Sequence, residues 1–118
     1  MTSVEWLVDA VNRISGWEAA HAELDKDRAA LPSAAARETM RASGARMQAD
    51  QLDAIERGLS DTMRELDAQV KRTAADVAAT VPTMGDDDRA EARRVLTPAA
   101  DQLPRARWAL ALLDGPRV

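Results

Sequence analysis

The sequence predicts an all-α protein: an antiparallel helical bundle or coiled coil built around one long central helix, residues 34–81, and completed by homodimerisation. Three observations carry that reading. First, Leu52, Ile55, Leu59, Met63, Leu66, Val70, Ala74, Val77 and Val81 follow one another at steps of three and four. The steps repeat every eleven residues, or about 3.67 residues per turn, so the apolar stripe runs nearly straight along the helix instead of winding as a left-handed heptad seam. Second, the chain holds 25 alanines and 14 arginines but no Phe, Tyr or Cys, with Trp6, Trp17 and Trp108 as its aromatics. Abundant Ala, Leu, Glu and Arg without β-branched runs is the composition of helices. Third, the breakers gather at a few places: Pro32, the stretch from Pro82 to Gly85, Pro98, Pro104 and Gly115-Pro116.

Taken in order, Thr2 and Glu5 form a capping box that opens a first helix over residues 3–31. Its apolar positions are Val4, Leu7, Val8, Val11 and Ile14, followed by Trp17, His21, Leu24 and Leu31 with Arg28 on the stripe. The step from Ile14 to Trp17 loses register at Ser15-Gly16, which predicts a bend in a continuous helix. Pro32 ends it, and Ser33 caps the next helix ahead of the Ala34-Ala35-Ala36 run. In the long helix, charged residues such as Asp53, Arg57, Asp61 and Arg64 fall between the stripe positions and pair at three or four residues, worth a few tenths of a kcal/mol each. Gly44 and Gly58 are its weak points, each costing about 1 kcal/mol against Ala. After Val81-Pro82, Asp86, Asp87 and Asp88 place negative charge at the start of a helix. The last arm, residues 87–114, shows Leu96, Ala99, Leu103, Ala106, Leu110 and Leu113 in 3–4 alternation, interrupted by Pro98 and Pro104. Thr97-Pro98 reads as an N-cap followed by proline in the first turn of a restart.

Length suggests one domain spanning 1–118. A first arm folded back on the early part of the long helix and a last arm folded on its late part leave much of the stripe uncovered. A second copy supplies the missing surface, and two-fold symmetry is the commonest solution. Leu52, Ile55, Leu59, Met63, Leu66 and Val70 are then the core and dimer residues. A break at Gly44 or Gly58 leads instead to a compact monomeric bundle.

The net charge of −4 argues against a general nucleic-acid binder. The part from Arg89 onward is locally basic, however, with six arginines against Glu91, Asp101 and Asp114. Without cysteine there is neither a disulfide framework nor a thiolate metal site. The sequence shows no leader pattern, and its longest apolar run, Trp108 to Leu113, is too short to span a bilayer. A cytoplasmic protein is expected, and the Arg and Ala bias suggests a bacterial or phage genome.

Candidate chemistry is sparse. Glu18 and His21 have the Glu-x-x-His spacing of bundle metal sites, but one such motif falls short of a metal centre, which needs two. Arg37/Arg41 and Arg89/Arg93/Arg94 could hold an anion, yet arginines at such spacing on an acidic chain usually form a solvated, ion-paired face. No catalytic residue, metal ligand or cofactor motif is assigned. The segment Arg105 to Leu113 carries more leucines than one stripe needs. Arg105, Arg107, Trp108 and Leu112, with Val77 and Val81 at the end of the long helix, are therefore the candidate partner-binding residues. The expected function is non-enzymatic: a helical, homodimeric protein-binding module acting as adaptor, assembly factor or chaperone. The alternative is a small all-helical enzyme or metabolite-binding bundle whose arginines, Arg37, Arg41 and Arg46 above all, gather around an anionic ligand.

Overall fold

The computed structural model describes residues 1–117, and Val118 lies outside them. Helix accounts for 84% of the described residues, with no strand among them, which settles the all-α class. Among the described residues five α-helices follow one another: α1 (Ser3–Ala29), α2 (Ala34–Ala42), α3 (Arg46–Thr80), α4 (Asp86–Leu96) and α5 (Pro104–Leu113). Short 3-10 turns at Val81–Thr83 and Thr97–Ala99 link the later helices.

The first two predicted helix starts are made by the residues expected to make them. The Glu5 N–H donates to Thr2 Oγ1 at 3.1 Å, and the Ala36 N–H donates to Ser33 Oγ at 3.0 Å. Helix α1 runs without interruption through Ser15-Gly16 and ends at Ala29, two residues short of the expected limit.

The long helix, however, is not one helix over residues 34–81. It stops at Ala42 and restarts at Arg46. Gly44 has φ +97°, a left-handed conformation that glycine adopts without steric cost. The Gly44 N–H donates to the Arg41 carbonyl and the Ala45 N–H to the Met40 carbonyl at 2.8 Å. This is the double hydrogen bond that terminates a helix by satisfying its last carbonyls. Gly58 has no such ending and lies within α3.

The break changes which residues meet. A hairpin folded at Pro32 would set Val4 level with Asp61. Instead Val4, Leu7 and Val11 share one apolar cluster with Val77 and Val81. The intervening α2 displaces the hairpin register by several turns, so the start of α1 reaches the end of α3. The early-part coverage expected for the first arm is thereby overturned.

A second correction concerns the restart in the last arm. Thr97 is itself helical (φ −56°, ψ −45°), and its Oγ1 donates back to the Arg93 carbonyl at 2.6 Å, so it does not cap a new helix. The restart comes at Pro104, after Leu103 in an extended conformation, with proline in the first turn where its missing N–H costs nothing.

Contacts gather in two compact units. The first comprises Met1–Glu18 and the chain from Ala68 onward; the second is Ala19–Asp67. In the first unit, Leu7, Val11, Val77, Val81, Ala106, Ala109 and Leu113 are almost fully buried, with Trp6, Leu103, Trp108 and Leu112 packed against them. Arg89 is 1% exposed in the same unit. Its Nη2 donates to the Val81 carbonyl at 3.0 Å, Nε to Met84 at 3.2 Å and Nη1 to Leu113 at 2.6 Å. A buried cation is costly unless it is fully hydrogen-bonded. Here the Leu113 carbonyl, at the negative end of α5, meets the charge directly. Arg93 adds a bond to the same carbonyl and pairs with Asp114 at 2.9 Å.

The second unit buries far less. Only Arg37, Ala49 and Met63 are buried in it, while Leu24, Leu31, Leu52, Leu59 and Leu66 are half-buried. Helix α2 contributes a single buried side chain, Arg37 at 5% exposure. Its Nη2 bonds Glu56 Oε2 at 3.0 Å and its Nη1 lies 3.0 Å from Asp53 Oδ1. Arg41 pairs with Glu38 at 2.6 Å, Asp50 at 3.2 Å and Asp53. Ion pairs hold α2 against α3 where apolar burial is lacking.

Candidate interaction surface

The eleven-residue stripe faces the interior of the chain for most of its length. Met63, Val70, Val77 and Val81 are buried, Leu52, Leu59 and Leu66 are half-buried, and Ile55 alone is exposed, at 49%. Of the residues expected to form a core shared between two chains, Met63 and Val70 are thus buried within one chain, and Ile55 is the one left fully reachable. Val77 and Val81, expected to meet a partner, have no exposed surface, because α1 and α5 already cover them in the first unit.

The segment around Trp108 is similarly occupied. The Arg105 guanidinium lies 4.8 Å from the centroid of the Trp108 ring and grips both carboxylate oxygens of Glu18, at 2.9 and 3.2 Å. Trp108 and Leu112 are half-buried against the core, and Arg107 remains exposed. The surplus leucines of α5 are explained by this packing: Leu113 faces the buried cluster while Leu110 and Leu112 flank it.

The arginine clusters are each engaged by groups of the same chain. Around Arg37 and Arg41 stand Glu38, Asp50, Asp53 and Glu56, four carboxylates to two guanidiniums, which leaves the site anionic. The Asp50 hydrogen bond is the largest influence raising the Arg41 pKa; burial opposes it, and Asp53 and Glu38 add to it. Arg46 lines a different, open depression with Met47, Asp50, Gln51 and Ala54. Arg89 is consumed by three carbonyls, Arg93 by Asp114, and Arg94 by Glu91. The convergence of Arg37, Arg41 and Arg46 on one cavity, which the anion-binding alternative required, does not occur. Glu18 is taken by Arg105, and His21 instead borders a polar recess with Asp25, Arg28 and Met63. No group of three or more acids or histidines among the described residues is placed to hold a metal ion.

What remains open lies on the outward side of α3 in the second unit. Met47, Gln51, Ala54, Ile55, Gly58 and Thr62 follow at helical spacing and form an uncharged strip. Met47 is 73% exposed, and nothing lies within 4 Å of where a Gly58 Cβ would stand. Charged residues, among them Asp50, Arg57, Asp61 and Glu65, border or interrupt it. The strip is hidden in the sequence behind the stronger inward stripe. The signal was present as the gap in charge from Met47 through Gln51 and Ala54 to Gly58.

No helix is long and apolar enough to cross a membrane among the described residues. Comparison of the chain with known protein families, with curated proteins and with solved structures finds no match.

Proposed function

We propose that the chain is a non-enzymatic, helical protein-binding module of the cytoplasm, acting as adaptor, assembly factor or chaperone, and that it works as a homodimer. The observation that carries this reading is the exposed, uncharged strip on α3 from Met47 to Thr62, with Met47 and Ile55 standing out of it. Two copies of α3 crossing antiparallel at Ala54 and Gly58 bring their backbones close, since interaxial distance depends on the side chains at the contact. A strip this small makes the dimer weak and concentration-dependent.

Light scattering over roughly 1–500 µM protein tests it, since a dimer with a dissociation constant of about 100 µM or less assembles within that span. The wild type is expected to approach twice the chain mass, and Ile55→Glu, an exposed substitution, to stay at one. A wild type that remains monomeric throughout, or an Ile55→Glu variant that dimerises equally well, overturns the proposal.

A further inference from the structure

A second surface lies in the first unit, where α1 and α4 form an open groove of about 580 Å³. Its floor is aliphatic: Val4, Val8 and Val95, the last 38% exposed. Its rim is acidic, with Glu5 and Asp9 on one wall and Asp88 and Glu91 on the other. Asp9 lies 3.6 Å from Arg13, and Glu91 is bonded to Arg94 at 2.5 Å. Glu5 and Asp88 are exposed and have no ion-pair partner among the described residues. The groove therefore presents valines between two walls of net negative charge.

The spacing describes the shape of the missing piece. On α1 the lining residues recur at Glu5, Val8/Asp9 and Asn12, and on α4 at Asp88, Glu91 and Val95, three or four apart. Each wall is thus about two helical turns long, roughly 10 Å. A helix laid in such a groove inserts side chains at matching three- and four-residue steps. An acidic partner would set like charges against each other, and a purely apolar one would leave four carboxylates facing it. A partner with basic residues on both sides of an aliphatic stripe satisfies floor and rim together.

We propose that the α1/α4 groove docks an amphipathic helix of a partner protein whose aliphatic stripe is flanked by Lys or Arg. The proposal rests on the reading of the chain as a protein-binding module and assigns it a surface and a partner chemistry distinct from the α3 strip.

The test uses full-length protein and a fluorescein-labelled synthetic helix of Leu and Lys, about five turns long. A counterpart with every Lys replaced by Glu and a scrambled Leu/Lys peptide serve as comparisons. The Leu/Lys helix is expected to bind, and the other two to bind at least tenfold more weakly. Glu5→Gln with Asp88→Asn is expected to weaken binding about five- to tenfold, as loss of two favourable rim contacts allows. Val95→Gln should weaken it as well. Asp27→Asn with Asp76→Asn removes the same charge outside the groove and should change affinity less than about twofold. Equal weakening by both pairs of substitutions, equal binding of the scrambled peptide, or no binding by the Leu/Lys helix overturns the proposal. Light scattering on the same variants separates the two surfaces: Glu5→Gln/Asp88→Asn leaves the dimer unchanged, and Ile55→Glu leaves peptide binding unchanged.

Discussion

The two units solve the same problem with different chemistry. Both are built on α1 and α3, and the same eleven-residue stripe enters both. In the first unit the stripe ends in Val77 and Val81, buried under α1 and α5 within a twelve-residue cluster. In the second, leucines at equivalent spacing stay half-exposed, and α2 is secured by Arg37 and Arg41 on four carboxylates. The difference is not in the stripe but in what covers it. Two further helices bring apolar faces to the first unit, whereas α2 brings a guanidinium.

Removing Arg89 should separate the units most sharply. Arg89→Met fills much of the same volume but removes three buried hydrogen bonds, to the Val81, Met84 and Leu113 carbonyls, a loss of about 3–5 kcal/mol. Urea denaturation should show it as a lowered midpoint, and hydrogen exchange should place the loss in α4, α5 and the end of α3. A midpoint unchanged from wild type would mean that the three carbonyls find water as readily as they found the arginine.

Next in size is a matched pair of truncations. Leu7→Ala, in the first unit and fully buried, is expected to cost about 2–5 kcal/mol. Leu59→Ala, half-buried in the second, should cost about 1 kcal/mol because little apolar area leaves water there. Equal losses would show that the second unit buries Leu59 in solution more deeply than its own chain provides, as a dimer would do.

The two glycines within residues 34–81 should respond with opposite signs. Gly44→Ala forces a side chain into the left-handed region and should destabilise by about 1–2 kcal/mol. Gly58→Ala, inside α3 and facing open space, should stabilise the chain by about 0.5–1 kcal/mol. Thermal unfolding of the pair decides whether the α2–α3 turn is required or merely tolerated.

The smallest expected effect is a pH dependence at the rim of the α1/α4 groove. Hydrogen bonds from Arg94 hold the Glu91 carboxyl below its ordinary value, with desolvation opposing and charge attraction reinforcing. A depressed carboxylate contributes stability that is present above its unfolded value and disappears as pH falls through its folded value. Carbon-detected titration should give Glu91 a midpoint below the ordinary glutamate range. Arg94→Gln should return it to the ordinary range, with a change in global stability close to the limit of detection, because the pair is exposed.

Much of the fold was legible because helix ends obey local rules. Thr2, Ser33 and the Asp86–Asp88 run mark their helix starts by chemistry that acts within one turn. The break at Gly44 was visible as a weak point but not as a stop, because the decision rests on hydrogen bonds from Gly44 and Ala45 to carbonyls already placed by α2. Pro98 and Pro104 are equally good restarts on local grounds, and packing of Leu103 against the core favours the second. Burial was harder to read. Arg89 occupies an apolar stripe position with Ala92 and Leu96, a pattern that could have flagged a buried guanidinium, but the carbonyls it serves come from two other segments. The interaction surface was least legible, since exposure is what remains after every intramolecular claim on a side chain has been met.

The displacement of the hairpin by α2 also sets a timetable for synthesis. Val4, Leu7 and Val11 leave the ribosome first, yet their partners Val77 and Val81 are some seventy residues behind them. At about 5–20 residues per second, the apolar face of α1 waits on the order of 4–14 s before its cover exists, and longer for α5. During that interval the second unit, whose residues are contiguous in the chain, can form alone. The nascent protein therefore passes through a stage in which the apolar face of α1 is finished and uncovered, the period when a trigger for misassociation, or a cellular chaperone, has access to it.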